Sequence, residues 1–110
     1  MEVLEVSEGY AKGRIHLEDK HKNNYGSMHG GCSYALADTI GGIAAITYGK
    51  NVTTVNAAMN YLLPVRDTEY VYCEARVMRH GRKLSVFHVT ILDDKKKLLM
   101  DGNLTYYTVE

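Results

Sequence analysis

The sequence shows no excess of either charge, because 13 lysine and arginine residues balance 13 aspartate and glutamate residues. An extended basic surface of the kind that binds nucleic acid is therefore not expected. The first ten residues, MEVLEVSEGY, are acidic and have no apolar core, so a secretion signal is not indicated. The longest apolar stretch is too short and too interrupted to span a membrane. Neither nucleic acids nor membranes are expected partners.

Cysteine is scarce as well. Cys32 and Cys73 lie in apolar patterns and make no metal-ligand spacing with histidine. They are typical of reduced thiols inside a cytoplasmic protein, and no cofactor is expected. Tryptophan is absent and phenylalanine occurs once, whereas tyrosine occurs nine times. Because tyrosine combines an apolar ring with a polar hydroxyl, this bias favours interfaces and pocket walls over one dry core.

No internal repeat, low-complexity tract or linker rich in proline, glycine and serine interrupts the 110 residues. A chain of this length can form one modest hydrophobic core. The sequence therefore predicts a single domain covering residues 1–110.

The stretch from Asn23 to Tyr48 organises the rest of the chain. A polar loop, NNYGSM, leads through His29-Gly30-Gly31 into about four helical turns of small and apolar residues. A helix that is apolar nearly all round is a buried helix. Gly41 and Gly42 each cost it about 1 kcal/mol relative to alanine, and a thin helix surface suits close packing against a sheet or a second helix.

Asp38 is the only charged residue between His29 and Lys50. Burying a lone carboxylate is costly unless it is paired, hydrogen-bonded or protonated, so a functional role is one interpretation. The alternative is that Asp38 faces water or is a satisfied buried carboxylate, and that HGG is only a flexible turn. The helix leaves no clear polar face for Asp38 to share, which favours function.

The remaining segments have the period of β-strands. Alternation is clean at 69–79, where Val71, Cys73 and Ala75 share one face, and at 83–92, where Phe87 and Val89 do. Residues 1–8 show no committed pattern, and residues 18–22 are a charged turn or a single helical turn. The predicted strands, in chain order, are 9–17 as an edge strand, 52–63, 69–79, 83–92 and 98–109.

This order predicts an α+β domain, with an antiparallel sheet and one long helix against its concave face. One sheet over one helix leaves a side of that helix uncovered. Because the helix is apolar there too, a partner chain is expected, most simply in a twofold dimer.

The chain carries a set of motifs in the order Asn23, Gly26, His29-Gly30-Gly31, Leu36-Ala37-Asp38-Thr39, Val52-Thr53-Thr54-Val55, Asn60-Tyr61-Leu62-Leu63-Pro64 and Gly81-Arg82. Together they resemble the hotdog-fold acyl-CoA thioesterases, in the superfamily of 4-hydroxybenzoyl-CoA thioesterase, and the phenylacetate-degradation (PaaI-like) type most of all. The likeness runs from about Asn23 to Tyr107. A lone HGG would be a weak signal, whereas HGG with an aspartate nine residues after the histidine is specific when a strand ending in YLLP follows.

The resemblance implies that the sheet wraps the helix, that two chains join their sheets side by side, that dimers often pair into tetramers, and that the active site lies between chains. By position, Asp38 corresponds to the essential carboxylate, which attacks the thioester or activates a water. Gly30 corresponds to the helix-start amide that binds the thioester oxygen, and Thr54 to a residue that helps to hold the water. Asn23 and His29 correspond to side chains that shape the pocket opposite Asp38.

The substrate-binding residues expected with them are Gly31 and Thr39 on the helix, and Arg82 and Lys83 at a basic turn. Arginine suits phosphate groups such as those of coenzyme A, although a basic turn is common on any protein surface. Two departures from the family pattern stand out. The N-terminal helix of many members is missing or reduced to residues 1–8, and the turn at 65–68 lacks the common glycine.

One inference needs no family. Nine residues of helix separate His29 from Asp38, roughly 13.5 Å and two and a half turns, so the two residues point to opposite sides. If both serve one site, they must come from different subunits. Two antiparallel helices about a twofold axis would then form two equal sites.

The resemblance implies hydrolysis of a small aryl or medium-chain acyl-CoA to the free acid and coenzyme A. Free amides at Gly30-Gly31 and the positive helix end would polarise the carbonyl, and Asp38 would act as base or nucleophile. The alternatives are a non-catalytic acyl-CoA-binding protein or sensor, and an enoyl-CoA hydratase. The spacing of His29 and Asp38 disfavours the hydratase, which requires both residues close together in one chain.

Overall fold

The computed structural model describes residues 1–109, which form one sheet and one long helix. The six strands lie in the order β1-β2-β4-β5-β6-β3, and every neighbouring pair is antiparallel. The elements in chain order are β1 (Glu2–Ser7), β2 (Tyr10–His16), a 3-10 turn (Asp19–His21), α1 (Gly30–Ile46), β3 (Val52–Tyr61), β4 (Tyr70–His80), β5 (Leu84–Leu92) and β6 (Leu98–Thr108).

The core lies between α1 and the face of the sheet that curves around it. Alternate residues are buried in β4 from Val71 to Ala75, in β5 from Ser85 to Ile91 and in β6 from Met100 to Tyr106, which confirms the inward faces predicted within 69–79 and 83–92. The prediction of one helix against an antiparallel sheet is also confirmed. The helix contributes its buried face, formed by Ser33, Leu36, Ala37, Ile40, Gly41, Ala44 and Ala45.

The first strand was not predicted, and the edge position of the second was wrong. Residues 2–7 form β1, and β2 lies between β1 and β4 rather than at the edge of the sheet. The physical reason is that all six residues of β1 are exposed, so no buried face imposes a period of two on its sequence. The sheet therefore has six strands, and two of them precede the helix.

The helix ends just before Tyr48, the last residue of the small and apolar stretch seen in the sequence. α1 stops at Ile46, and Gly49 takes the left-handed backbone conformation, with φ +90°, that glycine tolerates best. The opposite face of α1 is uncovered, and Tyr34 and Ile46 there are 40% and 48% exposed. The last strand of the sheet order, β3, has a free edge beside this face.

Candidate active site

The start of α1 offers one free backbone donor. His29 is the N-cap residue, and its ring Nδ1 accepts a hydrogen bond from the Gly31 amide at 3.0 Å. The carbonyl of His29 accepts from the amides of Cys32 and Ser33. Within residues 1–109, the Gly30 amide is left without an acceptor. The expectation of free amides at both glycines is therefore wrong for Gly31 and holds for Gly30, which lies at the positive end of the helix dipole.

The His29 side chain hydrogen-bonds to the backbone of the helix start and to no other side chain of residues 1–109. Its ring is exposed, and Nδ1 is occupied by the cap, while Nε2 has no partner in the described chain. Within a single chain, His29 is therefore a helix-entry histidine bonded to the backbone. Through the cap, His29 also orders the peptide that carries the free Gly30 amide.

The loop before the helix is organised by Asn23. Its side-chain Oδ1 accepts from the amides of Tyr25, at 2.9 Å, and Ser27, at 3.2 Å. This is an Asx-type turn, in which asparagine replaces a backbone acceptor. The Nδ2 group of Asn23 has no acceptor among the described residues and stays available to a ligand.

A groove of about 380 Å³ runs between this loop and the end of β3. Asn23 and Gly30 both line it. Tyr61 closes one wall, and its hydroxyl donates to the Gly30 carbonyl at 3.1 Å. Leu62 and Leu63 continue the wall with exposed apolar surface. The groove therefore runs past the Gly30 peptide.

Asp38 lies on α1 about two and a half turns after His29 and is half-buried. Two hydroxyl groups donate to the same oxygen of its carboxylate. Thr54 of β3 reaches Oδ1 at 2.8 Å, and Tyr106 of β6 reaches it at 3.1 Å. The Tyr106 hydroxyl also lies 3.0 Å from the main-chain oxygen of Asp38. In the part of the chain described, Oδ2 has no donor and no cation pairs with the carboxylate.

A β-bulge aims Thr54 at the helix. The β3–β6 register shifts between Thr54 and Asn56, so Val55 is an extra residue opposite β6. Strict alternation would place Thr54 and Ala57 on opposite faces of the sheet. The bulge restores both to the face that packs on α1. Bulges of this kind often re-aim a side chain beside an active site.

Tyr106 is the residue of this cluster that sequence analysis missed. It is 1% exposed, and it follows Met100 and Leu104 on the inward face of β6. That alternation was a usable signal, because a tyrosine on an inward face must find a partner for its hydroxyl. Burial raises the pKa of the Tyr106 hydroxyl above its usual range, and the Asp38 charge raises it further. The hydroxyl therefore stays protonated at neutral pH and donates to Asp38.

The other expected binding residues lie elsewhere. Arg82 and Lys83 are exposed in the turn between β4 and β5, and neither forms an ion pair within residues 1–109. Arg82 lines a cavity of about 170 Å³ together with Tyr48 and His80, whose rings stack at 3.7 Å between centroids. Thr39 lines a different groove, of about 190 Å³, on the β2 side of α1.

One copy of the chain thus holds the expected residues in separate places. Asp38 and Thr54 are bonded to each other, whereas Asn23, His29, Gly30 and Gly31 gather at the helix start. No hydrogen bond or ion pair joins these two groups in residues 1–109, and His29 and Asp38 stand apart along the helix as their spacing predicted. These groups form two halves of a candidate site. One half is the free Gly30 amide at the helix N-terminus, and the other is the Asp38 carboxylate, whose Oδ1 accepts two hydrogen bonds and whose Oδ2 accepts none within residues 1–109. A free amide and a free carboxylate oxygen together suit attack on a carbonyl carbon.

Comparison with known proteins gives consistent matches. The family model described as the Thioesterase superfamily matches residues 25–100. A Haemophilus influenzae protein named "Putative esterase" is 30% identical over 108 residues, covering 96% of this chain and 78% of that protein. Human acyl-coenzyme A thioesterase 13 is 28% identical over 92 residues, covering 81% and 66% respectively.

Two solved structures share the architecture. A Streptococcus mutans protein solved with acetyl-CoA bound superposes with a TM-score of 0.94 at 25% identity, covering 98% of this chain and 87% of that one. The Escherichia coli PaaI protein from the phenylacetic acid degradation operon gives 0.95 at 20% identity, covering 99% and 79%. The predicted hotdog fold is confirmed. No helix in residues 1–109 has the length and apolarity needed to cross a membrane.

Proposed function

Because the chain belongs to the Thioesterase superfamily, we propose that it is an acyl-CoA thioesterase that releases a small aryl or medium-chain acid and free coenzyme A. That it hydrolyses a thioester follows from the family, and the chain is a thioester hydrolase. The finer proposal adds the substrate class, the residues and the subunit arrangement. We take residues 1–110 as one such domain and the cytoplasm as its location.

The observation that carries this proposal is the environment of Asp38. A half-buried carboxylate that has no cation partner within residues 1–109, and that Thr54 and Tyr106 hold through Oδ1, is poorly explained as a structural ion pair. Its free Oδ2 can attack the thioester carbon or remove a proton from a water. A protein that only binds acyl-CoA would have no need of this carboxylate beside the thioester.

The Gly30 amide supplies the second element of the chemistry. During attack the carbonyl oxygen gains negative charge, and a fixed N–H donor at a helix N-terminus stabilises that charge. The absence of a side chain at Gly30 lets the thioester approach the backbone closely. Thiolate is a fair leaving group, so one carboxylate and one such donor are a sufficient minimum.

The two halves meet only if two copies combine. We propose a homodimer in which the helices run antiparallel, so that Gly30 of one copy faces Asp38 of the other. The free edge of β3 and the exposed apolar side chains beside it support this arrangement. Pairing of two such dimers is compatible with it. The exposed apolar residues are Tyr34, Ile46, Val55, Tyr61, Leu62 and Leu63.

The test of substrate class is release of free thiol from a panel of acyl-CoA thioesters, from acetyl through medium-chain and aromatic to long-chain groups. We expect the highest kcat/KM for aromatic or medium-chain members, because Tyr61, Leu62 and Leu63 form an apolar wall beside Gly30. Binding of the panel without any thiol release would favour the non-catalytic alternative instead.

The coenzyme A end of the substrate gives a separate prediction. Arg82→Ala should raise KM for a full acyl-CoA several-fold, with little change for the same acyl group on N-acetylcysteamine, which lacks the phosphates. Arg76→Ala is the matched control, since it removes the same charge from the outer face of the sheet. Equal losses on both substrates would show that Arg82 acts on folding or on the acyl end.

A further inference from the structure

The two hydroxyl donors to Asp38 come from residues that lie directly opposite each other. Thr54 on β3 pairs with Tyr106 on β6 in the antiparallel register, just before the bulge. Side chains of such a pair project from the same face of the sheet. Both therefore approach the helix together, and both end on Oδ1 rather than one on each oxygen.

A glycine in α1, Gly41, leaves the space that the Tyr106 hydroxyl occupies. A Cβ atom built on Gly41 would collide with the Tyr106 hydroxyl, so any side chain at position 41 would displace it from Asp38. Glycine inside a helix costs about 1 kcal/mol relative to alanine. The Gly41-Gly42 pair predicted that a neighbouring element packs closely on the helix. This is confirmed at Gly41, where the Tyr106 hydroxyl of β6 is the group that approaches.

A buried tyrosine needs one acceptor, and the main-chain oxygen of Asp38 at 3.0 Å would be enough. The hydroxyl nevertheless lies within 3.1 Å of the carboxylate Oδ1 as well, and its single hydrogen is shared between two oxygens of one residue. This geometry ties both the backbone and the side chain of Asp38 to the same group. A rotation of the carboxylate would break the contact.

We infer that Tyr106 is a positioning residue for the hydrolysis: its hydroxyl, with that of Thr54, holds Oδ1 of Asp38 and thereby presents Oδ2 to the water or the thioester. The inference rests on the proposed role of Asp38. Tyr106 itself is buried and does not reach the substrate. It acts by restricting the carboxylate to one orientation, which favours the reactive geometry.

The first test is Tyr106→Phe, which keeps the ring in the core and removes the hydroxyl alone. We expect kcat for the best acyl-CoA of the panel to fall about tenfold, the effect of one lost hydrogen bond in the reactive geometry. KM should stay within about twofold, because Tyr106 does not contact the substrate. Tyr107→Phe is the matched control: it lies next in the chain, is 37% exposed and should keep wild-type kcat.

The second test moves the hydroxyl without removing it. Gly41→Ala should displace the Tyr106 hydroxyl from Asp38 and lower kcat at least as much. Because both substitutions act through one contact, the double variant Gly41→Ala/Tyr106→Phe should be no slower than the slower single variant. Losses that multiply in the double variant would overturn the inference, and this comparison decides the matter even if one variant is less stable than wild type.

A purely structural role for Tyr106 would lower the melting temperature and leave kcat of the folded enzyme unchanged. If Tyr106→Phe turns over like Tyr107→Phe while Asp38→Asn is inactive, the positioning role is wrong and the proposed function stands. If Asp38→Asn is also active, the proposed assignment of Asp38 as base or nucleophile is wrong, and the inference falls with it.

Discussion

Asp38→Asn is expected to lower kcat for acyl-CoA hydrolysis by at least about a hundredfold, because an amide is neither a base nor a nucleophile of comparable strength. The fold should survive, since the amide oxygen of asparagine can still accept the hydrogen bonds that Thr54 and Tyr106 donate. For the same reason the Kd for acyl-CoA should change little. The measurement is single-turnover thiol release together with equilibrium binding of the same substrate.

The control is Asp101→Asn. Asp101 lies on β6 and accepts from the Asn60 side chain, away from the helix. The same change of charge at that position should leave kcat within about twofold of wild type. Turnover by Asp38→Asn close to that of Asp101→Asn would contradict the assignment of Asp38 as base or nucleophile.

Gly30→Pro is expected to lower kcat by about a hundredfold to a thousandfold, the usual effect of deleting one oxyanion donor. Proline lacks the amide hydrogen that is free at Gly30, and the first position of a helix tolerates proline well. His29 already has the extended conformation that a residue before proline requires, with φ −61° and ψ 134°. The helix should therefore form normally, which circular dichroism would verify.

Gly30→Ala separates the loss of the donor from the added bulk. Alanine keeps the amide hydrogen, and its Cβ would lie 3.4 Å from the Tyr61 ring, an ordinary contact. It should cost kcat far less than proline does. Equal losses in the two variants would mean that space at Gly30 matters and that its N–H does not.

The parts of the fold that could be predicted are those with one face buried. The alternation of β4 and β5 follows from packing of their inward residues on α1, and it is visible in the chain without any structure. The sequence of β1 shows no such alternation, because all its residues are exposed and neither face of this edge strand has to be apolar. Its pairing follows from the tight turn at Gly9, with φ +75°, which ends one strand and starts the next.

The site was predictable only in part, for a similar reason. Asp38 stands out because it is the one charge of an apolar helix, and the helix start stands out because of its glycines. The contact of Tyr106 with Asp38 joins residues 68 positions apart and depends on which strand faces the middle of α1. The bulge at Val55 that turns Thr54 inward leaves no local mark in the sequence. Likewise, the sequence does not show that the His29 ring accepts the hydrogen bond of the Gly31 amide, because this depends on the orientation of the ring.

The central claim is that each active site combines the helix start of one subunit with Asp38 of the other. It can be tested by making two hybrid dimers from chains that carry different affinity tags and purifying each hybrid through both tags. In the first hybrid, one chain carries Gly30→Pro and the other Asp38→Asn. In the second, one chain carries both substitutions and the other is wild type.

The measurement is kcat of each purified hybrid, with size exclusion to confirm the dimer. If the sites lie between subunits, the first hybrid contains one intact site and should have about half of wild-type kcat, by the twofold symmetry of the interface. The second hybrid has one damaged half in each site and should be as slow as the single variants. The reverse result, an inactive first hybrid and a half-active second one, would place Gly30 and Asp38 of one chain in the same site and contradict the claim.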